Sequence, residues 1–139
     1  MVVAVSYDND SNTSADGAGE PTGLPAGEQT LTVPDVAERL GVQVTRVFDD
    51  LNRHRLIAVE QDGVRRIPER FLGGDADHAE INRFIPGVIA LLADGGWRDD
   101  EILDYLFTED DSLPGRPVDA LHGHLAREVM RRAQALAIG

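Results

Sequence analysis

Two short amphipathic segments meet at a single glycine, and two β-prone runs around an Asp-Gly pair follow at once. This arrangement, between Leu31 and Ile67, constrains the chain more than any other feature. Thr32 is placed to cap a helix that has Pro34 in its first turn and Asp35 three residues on, a variant of the capping box. Val33, Val36, Ala37 and Leu40 then fall at helical spacing, and Gly41 stands where a C-terminal glycine ends a helix. In the next segment Val44, Val47, Phe48 and Leu51 form the apolar stripe, which leaves Thr45, Arg46, Asp49, Asp50, Asn52 and Arg53 toward solvent or a partner. Leu56 to Glu60 and Val64 to Ile67 flank Gln61-Asp62-Gly63, the signature of a tight hairpin. Two helices across a glycine turn and a hairpin behind them predict a helix-turn-helix with a wing.

The rest of the chain reads as a tail before this unit and helices after it. Tyr7 to Gln29 has hardly a large apolar side chain to offset the entropy of ordering, so residues 1–29 are expected to be a disordered acidic tail. Pro68 is expected to open a short helix with Phe71 and Leu72 inward, and Gly73-Gly74-Asp75 to form a linker. Helices are expected over Ala79 to Ala93, Asp99 to Phe107 and Pro117 to Ala137, the last carrying Val118, Leu121, Leu125, Val129, Ala133 and Leu136 on one stripe. The predicted fold is mainly α with a small β-hairpin. A winged helix-turn-helix at 30–74 packs with a helical C-terminal domain at 75–139.

The net charge of −12 over 139 residues looks hostile to nucleic acid, but its distribution matters more than its sum. Met1 to Glu28 holds five acids and no cation, whereas Thr30 to Leu72 balances seven arginines against seven acids. Duplex DNA requires an element that fits the major groove, with cations and amides along the phosphates. Thr45, Arg46 and Arg53 on the second helix, Arg55 between helix and wing, and Arg65 and Arg66 on the wing are the candidate contacts. The guanidinium groups of Arg46, Arg65 and Arg66 are expected to converge on one cationic face.

Catalytic chemistry finds no foothold. The chain has no cysteine, and on a helix the rings of His122-x-His124 would point roughly 200° apart, too far to share a metal. Thr108 to Ser112 lacks the spaced acids and terminal Glu of a calcium loop. Asp99, Asp100 and Glu101 suit the positive end of a helix, and Trp97 is expected to pack near its start. No catalytic residue, cofactor or metal is expected. No apolar run approaches the roughly 20 residues that cross a bilayer, and a cytoplasmic protein without a membrane partner is the expectation.

Beyond the wing, the chain carries Pro86-Gly87, Asp94-Gly95-Gly96-Trp97-Arg98-Asp99, Leu106-Phe107-Thr108 and Arg116-Pro117-Val118-Asp119-Ala120-Leu121-His122. With Leu31 to Ile67, these residues resemble the actinobacterial winged helix-turn-helix DNA-binding protein family known as a substrate of the Ser/Thr protein kinase L. The resemblance implies a DNA-binding regulatory protein whose recognition helix enters the major groove while the wing lies on phosphate. It also implies phosphorylation of a disordered tail that weakens DNA binding, with a Ser/Thr protein kinase as a partner. Carried over, Arg46 matches a basic recognition-helix position and Thr45 a hydroxyl one. Asp49 and Asp50 stand where the family can carry neutral amides. From Trp97 to Leu136 the chain is also similar to the toxin-binding C-terminal domains of Xre/MbcA/ParS antitoxins, which implies the alternative of a protein-interaction module. A homo-oligomer is compatible with both readings.

Overall fold

The computed structural model describes residues 23–75 and 77–138. A strand β1 (Thr30–Thr32) leads directly into helix α1 (Val33–Leu40). The Thr32 hydroxyl accepts the Asp35 N–H at 3.2 Å, as the capping pattern predicts. Gly41, at φ 68°, ends α1, and the N–H of Val42 reaches back to the Ala37 carbonyl at 3.0 Å. Helix α2 (Val44–Asn52) follows, then β2 (Val59–Gln61) and β3 (Val64–Pro68) around Asp62 and Gly63. Both turn residues have positive φ, 54° and 78°, which fits the twist of a two-residue hairpin.

β3 is the middle strand of a three-stranded antiparallel sheet in the order β1-β3-β2, with Leu31 opposite Ile67 and Glu60 opposite Arg65. β1 thus ties the start of the helix-turn-helix to the wing. Val36 and Val47 from the helices and Ile67 from the sheet are fully buried.

Past the wing, the sequence expectations need correction. Pro68 opens a single 3₁₀ turn, Glu69–Phe71, with Phe71 and Leu72 buried. The expected linker is half of a hairpin, in which β4 (Leu72–Gly74) pairs with β5 (Ala79–Ile81). Asp75 Oδ1 accepts the backbone N–H groups of Asp77 and His78 and fixes the turn. The boundary placed at 74/75 therefore falls inside a hairpin.

The helix expected from Ala79 starts only at Ile85, as α3 (Ile85–Asp94), because Ala79–Ile81 is taken up in β5 and Asn82 holds the turn that follows. Its Oδ1 accepts the Phe84 N–H, and its Nδ2 donates to the Leu121 carbonyl at 3.0 Å. After α4 (Asp99–Phe107), the helix expected over Pro117 to Ala137 is two, α5 (Pro117–Ala120) and α6 (Ala126–Ile138). His122 and His124 lie in the turn between them, and the His122 Nε2–H donates to the Arg70 carbonyl at 2.7 Å. Trp97 meets Tyr105 edge-on with ring centroids 5.9 Å apart.

The two halves share one core. Phe71, in the 3₁₀ turn after the wing, meets Phe107 of α4 at 5.9 Å, and both belong to one core with buried Ile85, Ile89, Leu92, Ile102, Leu106 and Val129. A chain of ions follows the same seam. Arg116 binds Asp119 and also Glu28 at 2.6 Å, and Arg70 reaches Asp119 at 2.8 Å. The Arg116 guanidinium first, and Arg70 after it, hold the Asp119 carboxyl below the usual carboxylate range. Residues 23–29, expected in the tail, are thus held in the fold, with Leu24 packed on the core. The expected tail up to residue 22 lies outside the described residues.

Candidate nucleic-acid interface

The outer surface of α2 follows from which of its residues the core needs. Val47 is fully buried, Leu51 is 7% exposed and Asp50 is buried with them. At about 100° per residue, the opposite face carries Thr45, Asp49 and Asn52, with Thr45 and Asn52 almost superposed one above the other. Arg46 and Arg53, also seven residues apart, form one flank of this face. Val44 and Phe48, one turn apart, form the other. Thr45, Arg46, Asn52 and Arg53 are exposed.

The wing stands on the Phe48 flank. The Arg65 guanidinium carbon lies 5.7 Å from the centre of the Phe48 ring, so this arginine is held by a cation–π contact. Arg66, next to it in β3, leaves the other face of the strand because successive side chains alternate. Arg46 points roughly 160° around the helix from Phe48. The structure therefore does not gather Arg46, Arg65 and Arg66 on one face. They straddle α2, with Arg46 and Arg53 on one side and the wing on the other.

The carboxylates of α2 are also redistributed. Asp50, expected to face outward, is 2% exposed and accepts the Arg55 Nε–H at 2.9 Å, with Arg46 Nε at 3.7 Å as a second cation. Arg55 also reaches Asp49 at 3.3 Å, and Arg53 pairs with Asp49 at 3.2 Å. Arg55 therefore folds back as a strut on the end of α2, its guanidinium committed to Asp50 and Asp49, and the outer surface keeps Thr45, Arg46, Arg53 and Arg65. Arg66 has no ion pair among the described residues. Asp49, the carboxylate in the middle of the reading face, is held by two arginines.

The sequence reading overlooked Phe48 and Val44 as surface residues. Each is 38% exposed. They sit at the margin of the apolar stripe whose middle, Val47 and Leu51, is buried.

Comparison with known proteins bears on this geometry. Residues 21–72 match the family described as "DNA-binding protein Rv2175c, wHTH domain", and residues 83–137 match "Rv2175c C-terminal domain of unknown function". The DNA-binding protein Rv2175c of Mycobacterium tuberculosis strain H37Rv is 42% identical over 133 residues, covering 82% of this chain and 89% of that protein. The chain belongs to the Rv2175c family. The NMR structure of Rv2175c superposes with a TM-score of 0.72 at 43% identity, covering 82% of this chain and 84% of the other. In Rv2175c family terms, the winged match stops at β4 and the C-terminal match begins just after β5, so the β4–β5 hairpin joins the two.

Proposed function

We propose that this chain is a double-stranded DNA-binding regulatory protein that places α2 in the major groove and the β2–β3 wing on the adjacent backbone. The observation that carries this reading is the open face of α2, flanked by arginines on both sides, in a member of a winged helix-turn-helix DNA-binding family. A helix lying in the groove has one phosphate strand on each side of it. Arg46 and Arg53 suit one strand, Arg65 and Arg66 the other, and Thr45 lies between them over the base edges. Pairing with Arg53 and Arg55 blunts the repulsion that Asp49 would otherwise exert on phosphate.

The helix-turn-helix and wing form the DNA-binding unit, and the β4–β5 hairpin with the helices after it buttresses them. Tail hydroxyls upstream of residue 23 are the sites where a Ser/Thr kinase would act. A phosphate there adds about −1.5 to −2 charge to a stretch already rich in acids and competes with DNA for the exposed guanidinium groups.

Anisotropy titrations with labelled duplex test the interface. Arg46→Ala weakens binding, and Arg65→Ala/Arg66→Ala lowers the slope of log affinity against log salt by about 0.9 for each phosphate no longer neutralised. Unchanged affinity and slope in both variants would remove this surface from consideration.

A further inference from the structure

We propose that Phe48 and Val44 read the 5-methyl groups of thymine, so that the preferred duplex carries A·T pairs under the middle of α2. The inference rests on the DNA-binding reading above and names the chemistry that reading leaves open. Among the described residues, five large apolar side chains are exposed, and three of them, Val44, Phe48 and Val64, are on α2 or the wing. A single exposed apolar side chain needs no explanation. Val44 and Phe48, however, lie one turn apart beside the polar pair Thr45 and Asn52, while Val47 and Leu51 of the same helix supply what the core requires.

The surroundings identify the occupant. Arg65 borders this patch, and Arg46 and Arg53, with side chains 62% and 65% exposed, stand on the opposite flank of the same outer surface, a setting that suits a polyanion better than an apolar protein face. The apolar feature that a polyanionic major groove offers is the thymine methyl group. Arg65 over the Phe48 ring fixes that ring beside the wing, so it is positioned before DNA arrives. Asn52, one turn beyond Phe48 on the same side, has the amide geometry that pairs with both N6 and N7 of adenine. An aromatic side chain for thymine and an amide for adenine, four residues apart, read an A·T pair or two neighbouring ones.

The probe is a duplex enriched by the full chain from a random pool, then resynthesised with deoxyuridine replacing thymine one position at a time. Removing one contacted methyl is expected to weaken binding about fourfold at one or two positions. Phe48→Ala is expected to abolish the thymine preference at one of them while its melting curve stays near that of the wild type, and Phe48→Leu to keep part of it. Equal affinity for every deoxyuridine duplex overturns the inference, as does undiminished thymine preference in both Phe48→Ala and Val44→Ala. A change in the sedimentation of the free chain on Phe48→Ala also overturns it, because the patch would then be covered by a second copy. Failure to enrich any duplex refutes the DNA-binding reading itself, which is distinct from a duplex that binds but ignores its methyl groups.

Discussion

Arg55→Ala removes the main counter-charge of a buried carboxylate. Asp50 is 2% exposed and accepts the Arg55 Nε–H at 2.9 Å, while the next cation, Arg46, stands at 3.7 Å. Removing one partner of a fully buried pair costs about 3–5 kcal/mol. Here the Arg55 side chain is 39% exposed and Arg46 stays in reach, which reduces the expected cost to about 2 kcal/mol. For a domain of this size that is a fall in Tm of about 8 °C. The double variant Asp50→Asn/Arg55→Ala carries no stranded charge and is expected to recover about 1 kcal/mol relative to the sum of the single effects. Thermal unfolding by circular dichroism measures Arg55→Ala, Asp50→Asn and the double variant. Well below its Tm, Arg55→Ala is expected to weaken duplex binding less than Arg46→Ala does, because Arg53 still pairs with Asp49. A Tm within about 2 °C of the wild type, or strictly additive single effects, would refute the assignment of Arg55 as an internal strut.

Two further perturbations probe the C-terminal half. In Gly95→Ala the new Cβ would lie 2.7 Å from the Ala137 carbonyl oxygen and 2.8 Å from its Cα, so α3 and α6 must separate, and a destabilisation of about 1–3 kcal/mol is expected from the urea midpoint. The pH dependence has a definite sign. Asp119 is held below its ordinary 3.8 by Arg116 and Arg70, and Glu128 is lowered from 4.5 to about 2 by Arg131 and Arg132. Depressed carboxylates contribute stability that is present above their unfolded values and is lost as pH falls through the folded ones. The urea midpoint should therefore hold from neutrality to about pH 5 and drop below about pH 4, and Asp119→Asn should make that drop shallower.

The elements that could be read from the sequence are those with local instructions. Thr32 and Gly41 mark the ends of α1, and Asp62-Gly63 sets the wing, because capping and turn chemistry act within a few residues. The elements that were missed depend on partners distant in sequence. β1 is three residues long and exists through pairing with β3, more than thirty residues later. Gly73-Gly74-Asp75 resembles a linker until Ala79–Ile81 is there to pair with it. The break between α5 and α6 was hidden because Leu121, Leu125 and Val129 keep a helical interval across a turn. At the interface, the residue types of α2 were readable, but their allocation was not. A helix wheel cannot say that Asp50 goes inward and Phe48 outward, since their partners, Arg55 past the end of α2 and Arg65 in β3, lie outside the helix.

The ion pair between Glu28 and Arg116 joins positions 88 residues apart. On a ribosome adding about 5–20 residues per second, Glu28 waits roughly 4–18 s for its partner to be made. The helix-turn-helix and wing, whose contacts are closer in sequence, can form in that interval. The strand that opens them is clamped from behind only once Arg116 has been made, so a nascent chain that stops short of it would carry a nearly complete helix-turn-helix and wing with a loose base.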